Sequence, residues 1–270
     1  MLYWRKFIGR RPPRLRRRRY PLLVEGTTIV APCAVAFLDV LGMRQLLGSR
    51  PLLKLASRVM EVFDSSTRVI PGFSFENSVL DADDLEELGW EQVSYFFSTF
   101  IADTLVVVLP VDPYEPSDKR AASEVLSVIS LPLARLFQRN ADDGVWLRGA
   151  ISYGPCVLQV GQRFSVLGQP LIEASYWEKQ QNWSGVLVTP SAVPFVKRSH
   201  LPHLFVPYNV PLKEDSDPHP SPLMALDWTG EHRGWIARLK KVKSDRSDVK
   251  LKIKETIEFC RRIDGLRAAI

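Results

Sequence analysis

The chain has 270 residues, 46% of them hydrophobic and 24% charged, with 20 Pro and 15 Gly. That balance is the one a soluble globular protein with a real core needs, in one large domain or two small ones, and it excludes wholesale disorder. No stretch approaches the ~18 uncharged apolar residues of a membrane-spanning helix. Three widely spaced cysteines, Cys33, Cys156 and Cys260, argue against a disulfide framework or a structural zinc site and point to a reducing cytoplasm.

The net charge of +6 divides unevenly along the chain. Residues 1–20 hold nine basic side chains and no acid, leaving 27 basic against 30 acidic groups in the remainder. Residues 1–25 therefore read as a basic arm on a mildly acidic body, able to touch nucleic acid or anionic lipid but more simply a solvated tail. The arm lacks the interleaved aromatic platform of a single-strand binder, so a nucleic-acid partner is not expected. The apolar run Ile29 to Leu38 that follows is interrupted by Pro32, which reads against a secretory signal.

Residues 33–41 (CAVAFLDVL) suit a central strand covered on both faces, ended by Gly42. From Met43 to Ile70 the apolar residues recur at helical spacing, broken by Gly48 and Pro51, and predict one long or kinked helix. The acidic stretch 81–91 reads as a loop or short helix. Residues 93–99 and 103–109 read as two strands forming a hairpin or one bent strand. A turn at Pro110–Ser117 precedes an amphipathic helix over 121–137.

The run 145–153 reads as a strand that stops at Gly154-Pro155, and 157–160 with 163–166 as the next hairpin. A helix over 168–180 and a strand over 185–188 complete a ferredoxin-like β-α-β-β-α-β order with additions. Residues 190–222 read as surface loops and edge strands, and 234–243 and 248–265 as two basic-faced helices. The expected division is an arm to 25, a core domain over 26–200 and a C-terminal extension over 201–270.

The chain has no GxSxG elbow, no HExxH, no P-loop and no GxGxxG after a strand. The four histidines all lie in the C-terminal third, mostly in expected loops. Two aspartates draw attention because each stands alone in an apolar run, Asp39 in AFLDVLG and Asp103 in FIADTLVVV. An ionised carboxylate there is costly unless it is paired, metal-bound or at a strand end. On adjacent strands the two could hold one or two hard divalent cations bridging nucleotide phosphates. The turn Val40-Leu41-Gly42-Met43 would add backbone N–H groups that suit phosphate oxygens. Arg148, in the apolar WLRGAISYGP, reads either as a salt-bridge partner or as a triphosphate clamp.

These residues carry a family resemblance. AFLDVLGM resembles the F-x-D-I-x-G-F motif of class III nucleotidyl cyclases, with Asp39 at the first metal position. STFIADTLVVV is similar to their K-T-I-G-D hairpin, with Asp103 at the second, and LRGAISYGPCV to R-x-G-I-x-x-G-P-V, with Arg148 at a phosphate-binding position. SVLGQPLIEASYWEK resembles D-V-W-G-D-x-V-N-x-A-S-R-M-E and preserves Gly168, Ala174, Ser175 and Glu178. The resemblance implies an α+β, ferredoxin-like cyclase core, an antiparallel sheet with helices, followed by the C-terminal helical extension.

The departures are informative. The family's purine-reading Lys and Asp fall on Thr99 and Ser165, and its transition-state Asn and Arg on Ile172 and Tyr176. Kept metal aspartates with lost purine readers resemble the bacterial Pycsar anti-phage cyclases, which make cyclic UMP or cyclic CMP. ALDWT and VKLKIKETIEFCRRI resemble the same enzymes outside the core. The resemblance implies conversion of UTP or CTP to a 3′,5′-cyclic nucleotide and pyrophosphate. It also implies Mn²⁺ or Mg²⁺ held by Asp39, Asp103 and the carbonyl of Val40. Thr99, Ser165, Gly42 and Arg148 would bind substrate. A homodimer with interfacial sites and a downstream effector sensing the cyclic product are implied as well. The alternative is a catalytically degenerate nucleotide-binding or dimerising module.

Overall fold

The computed structural model describes residues 28–42, 97–101, 104–111, 119–142, 144–159, 165–196, 202–214, 222–230, 234–242 and 244–269. The basic arm, the helix expected over 43–70, the acidic stretch 81–91 and Asp103 lie outside the described residues.

The frame is one antiparallel pair of unusual length. Strand β1 (Thr28–Val40) runs against β4 (Leu147–Gln159) over thirteen residues each, from Thr28 opposite Gln159 to Val40 opposite Leu147. On the other side of β1 lies the hairpin of β2 (Phe97–Ile101) and β3 (Thr104–Pro110), with Asp39 opposite Thr104 and Ile101 opposite Thr104. The order β2-β3-β1-β4 is antiparallel throughout, which is the arrangement of the expected ferredoxin-like core.

Helix α1 (Lys119–Asp142) separates β3 from β4 and packs on β1, β3 and β4. Strand β5 (Ser165–Gly168) pairs back on β4, and α2 (Gln169–Gln180) follows with Pro170 in its first turn. That proline's missing N–H has no intrahelical partner to lose at this position. Strand β6 (Val186–Val188) lies parallel to β4.

Alternation along β1 supplies both faces of the sheet. Ala34, Ala36, Leu38 and Val40 join Val125, Leu126, Ile129, Leu133 and Phe137 of α1 in the large core. Cys33 and Val35 join Val106, Val108, Cys156 and Leu158 in a second cluster, against which Leu171 of α2 packs. All three cysteines are buried free thiols.

One expectation needs correcting. The strand expected to stop at Gly154-Pro155 continues through both residues to Gln159. Pro155 stands opposite Pro32, whose carbonyl already accepts from Val111 N–H on the far side (2.7 Å). The facing prolines thus fall where neither strand needs an N–H between them. Residues 190–222 were expected to hold surface loops and edge strands, and the strand within them, β7 (Phe205–Tyr208), is an edge. The next strand, β8 (Leu223–Leu226), is internal, paired to β6 on one side and to β7 on the other.

A four-residue helix α3 (Val193–Val196) and a 3₁₀ turn (Pro202–Leu204) precede β7. Helices α4 (Trp235–Lys241) and α5 (Ser247–Ala268) close the chain. Phe259 of α5 is fully buried, its ring 4.7 Å from that of Trp183 and 5.0 Å from Tyr208. Thr256 Oγ1 accepts from Ser184 N–H at 2.9 Å, and Arg267 donates to Asp227 at 2.6 Å. The C-terminal helix is thereby fastened to the segment that joins α2 to β6 and to the ends of β7 and β8.

Candidate active site

The end of β1 brings two expected residues, Asp39 and Arg148, into one row. Asp39 lies between Thr104 on β3 and Arg148 on β4. Its side chain is 23% exposed, so the carboxylate sits at the rim of the second face and not in the core. Directly across, Arg148 is only 9% exposed. An unpaired guanidinium at that depth would be strongly destabilising, and its partners are built in.

Arg148 Nε donates to Glu178 Oε1 at 2.7 Å, and Nη2 lies 2.5 Å from the same oxygen. Nη1 donates to the carbonyl of Gln181 at 2.9 Å. Asp39 Oδ2 is more distant, 3.7 Å from Nη2. Of the two sequence readings of Arg148, the structure displays the salt bridge. Glu178 is 2% exposed on the inner side of α2.

Gln181, just past that helix, is itself locked. Its Nε2 donates to Gly149 O (2.8 Å) and Trp177 O (2.9 Å), and its Oε1 accepts from Trp183 Nε1 (2.8 Å). A hydrogen-bonded path thus runs from the aromatic core under α5, through Gln181, to Arg148, whose Nη2 faces Asp39 at 3.7 Å.

The turn beyond Asp39 is fixed by Leu41 N–H donating to Trp146 O at 2.8 Å. Backbone groups alternate sides along a strand, so this bond turns Val40's carbonyl toward the β3 side, just past the last ladder pair. Gly42 follows at φ 76, and a Cβ there would meet nothing within 4 Å. The left-handed backbone, not space, is what calls for glycine.

A partly exposed carboxylate beside a backbone carbonyl, without sulfur or imidazole, fits a hard divalent cation. Among the described residues no group of three or more His, Cys, Asp or Glu gathers as a metal site. Asp103, the expected second ligand, lies outside them, and Thr104 beside it in sequence is the residue opposite Asp39.

The expected base readers are not brought together. Thr99 pairs with Val106, which pairs with Phe37, one same-face step from Asp39. Ser165 pairs with Gln159, which pairs with Thr28, at the opposite end of the sheet. Thr28 and Asp39 are eleven residues apart on β1, roughly 36 Å along an extended strand.

Ile172 is 59% exposed on α2, and Tyr176 packs edge-on against Trp177 at 5.5 Å. Glu178 and Gln181 are the site residues that sequence reasoning left without a role. Glu178 carried a signal, an acid on the inner face of an otherwise apolar helix turn; Gln181 carried none.

No protein-family model matches the sequence, and no curated protein matches it. Solved structures do match in shape. The catalytic core of a rhodopsin-guanylyl cyclase with converted specificity, in complex with ATPαS, aligns over 74% of this chain and 98% of its own, at 11% identity and a TM-score of 0.50. The adenylyl cyclase CyaB from P. aeruginosa aligns over 82% and 98%, at 14% identity and 0.47. The guanylyl cyclase domain of the RhoGC fusion protein from the aquatic fungus Blastocladiella emersonii aligns over 68% and 92%, at 12% and 0.46. At these identities the likeness carries the fold alone, and that fold is the α+β class III cyclase core.

Proposed function

We propose that this chain is a nucleotidyl cyclase that converts a pyrimidine nucleoside triphosphate, UTP or CTP, to its 3′,5′-cyclic monophosphate and pyrophosphate. The observation that carries the reading is Asp39. It is a rim carboxylate at the end of the central strand of a cyclase fold, with an anchored arginine across from it and the carbonyl of Val40 beside it on the β3 side.

In this reading Asp39, the carbonyl of Val40 and Asp103 hold two divalent cations, Mg²⁺ or Mn²⁺. Bound there, the cations would acidify the 3′-hydroxyl and offset charge on the leaving pyrophosphate. The chain's own residues do the orienting. Gly42's turn presents backbone N–H groups to phosphate, and Arg148 Nη2 lies close enough to exchange its loose contact with Asp39 for a phosphate oxygen. Glu178 and Gln181 would keep the remainder of the guanidinium in place during that exchange.

Ser165 and Asp39 lie at opposite ends of one chain, farther apart than a nucleoside triphosphate can span. If Ser165 contacts the base, it does so from a second copy, in a homodimer with two equivalent sites. Thr99 lies at the Asp39 end and would meet the nucleotide from the first copy. Short hydroxyls at these positions, where the family's purine readers are Lys and Asp, support a pyrimidine. The cyclic product would act as a second messenger in anti-phage defence through a separate effector in the cytoplasm. Among the described residues, no helix is long and apolar enough to cross a membrane. The 26–200 core would carry the chemistry, and the 201–270 extension would brace it.

A second reading, a non-catalytic nucleotide-binding or dimerising module, draws support from Ile172, an exposed apolar residue where the family carries a polar one. Incubating the purified chain with each labelled nucleoside triphosphate and Mn²⁺, then separating products by chromatography, decides between them. Cyclic UMP or CMP formed at least ~10²-fold faster than cyclic AMP or GMP is the expected result, the worth of one or two lost buried hydrogen bonds. Equal production of cyclic AMP refutes the pyrimidine reading, and no product from any substrate favours the module.

A further inference from the structure

Residues 235–270 hold eleven basic and five acidic side chains, and several of the cations border one groove. It lies between α4 and α5, has a volume of about 570 Å³ and shares no residue with the row at the end of β1. Its floor is aliphatic. Leu239 and Ile257 are buried there, and Val242 and Ile253 are half-buried. Its rim is cationic, with exposed Lys240 from α4 and exposed Lys250, Lys254 and Arg261 from α5. Asp245 and Glu258 also line it, and Glu258 is paired with Arg261. Among the described residues neither Lys240 nor Lys250 has an ion-pair partner.

The α5 side of the groove is residues 250, 253, 254, 257, 258 and 261, the three-and-four spacing of one helix face. At ~1.5 Å per residue that stripe runs about 16 Å along the axis. A bare charged face would be satisfied by water, but here the lysines surround aliphatic side chains that water serves poorly.

We propose that the groove docks an acidic amphipathic helix, about three turns long, from another protein. Charge complementarity and the recessed floor select that occupant. Carboxylates flanking leucine-like anchors match cations flanking an aliphatic floor, the pattern of a helix laid into a groove. Both walls are helices whose backbone groups are bonded internally, so an extended peptide finds no open strand edge to join. A flat bilayer would meet the lysines but not the side chains recessed between them. No aromatic side chain lines the groove to stack on a nucleic-acid base. The inference requires nothing of Asp39 and stands whether or not the chain is a cyclase.

The probe is a fluorescein-labelled peptide of about fifteen residues, long enough to begin forming a helix in water. It carries leucine at every third or fourth position with glutamate and alanine between, and its binding to the full-length chain is read by fluorescence anisotropy. A peptide of the same composition with the leucine spacing scrambled should bind about tenfold more weakly. Lys240→Glu/Lys250→Glu should weaken the helical peptide by about tenfold or more, since both reversed charges face its carboxylates. Ile253→Gln should weaken it as well with every charge kept. These variants retain the nine cations of residues 1–20, so capture by that arm would leave their affinity unchanged.

No binding of the helical peptide, equal binding of the scrambled one, or unchanged affinity in Lys240→Glu/Lys250→Glu overturns the proposal. If Ile253→Gln does not fold, the scrambled peptide tests the apolar floor by itself. Phosphatidylserine–phosphatidylcholine vesicles and a single-stranded oligonucleotide are the comparison arms. If either binds through Lys240 and Lys250 while the peptide does not, the face serves a membrane or a nucleic acid and the protein partner is refuted.

Discussion

Replacing Asp39 by alanine separates a catalytic carboxylate from a structural one, because the structure assigns very different costs to the two. Asp39 touches Arg148 at 3.7 Å with a side chain 23% exposed, while Arg148 keeps its shorter bonds to Glu178 and Gln181. A loose, partly solvated ion pair contributes at most about 1 kcal/mol. For a chain of this size that lowers the melting temperature by about 2–4 °C. If the same carboxylate ligates a catalytic cation, its loss removes several kcal/mol of transition-state stabilisation, a rate loss on the order of 10³-fold or more. Cyclic-nucleotide production under saturating UTP or CTP and Mn²⁺, beside a thermal melt of the same preparation, reads both quantities. Activity lost with a nearly unchanged melt is the expected pattern, and Asp103→Ala should match it in activity. Near-normal turnover in a folded Asp39→Ala protein refutes the metal assignment. A melt lowered by 10 °C or more would make Asp39 a strut of the sheet end.

Mixing Asp39→Ala chains with Ser165→Ala chains, each inactive alone, should restore about a quarter of wild-type activity, since half of randomly exchanged pairs contain one intact site of two. No recovery despite demonstrated exchange would mean that each site is built from one chain. Stability should also fall in alkali. Burial pushes the Tyr208 phenol and the Cys260 thiol each up to about 12, from the usual 10 and 9. The folded state holds these protons more tightly than the unfolded one, so their contribution is whole below pH 9 and is lost as pH rises toward 12. Urea midpoints that stay level to about pH 11 would contradict the burial of both groups in the aromatic core.

Much of the fold was legible because its elements carry strong periodic signals. The apolar run ending in Asp39-Val40 gave β1, and the helical spacing through Val125, Ile129 and Phe137 gave α1. Two β-rich runs with Ile101-Ala102 between them read as a hairpin or one bent strand, and β2 and β3 pair as the hairpin. Gly154-Pro155 misled because a proline's effect on a strand depends on what faces it. Pro32 lies more than a hundred residues away, and only register reveals that the two prolines meet. The internal position of β8, just beyond the stretch read as loops and edge strands, was hidden for a related reason. Four apolar residues between polar stretches look alike on an edge or in the middle of a sheet, and pairing partners decide which.

The site was legible to the extent that its cost was local. A lone carboxylate or guanidinium in an apolar strand is anomalous on its own terms, which is why Asp39 and Arg148 stood out. What resolves the anomaly is not local. Arg148 is neutralised by a helix residue thirty positions later and held by the carbonyl of Gln181, three positions beyond that. A backbone carbonyl leaves no trace in residue identity, so Gln181's part could not be read from sequence. The same distinction bears on function. Had Arg148 been balanced by Asp39 alone, a buried guanidinium would have depended on a rim carboxylate 3.7 Å away. With Glu178 present, one carboxylate pins the arginine from within, and the other lies at the rim, partly exposed. A partly exposed carboxylate at a strand end is the kind of hard oxygen ligand that a divalent cation carrying a triphosphate takes, and that is what the proposed reading asks of Asp39.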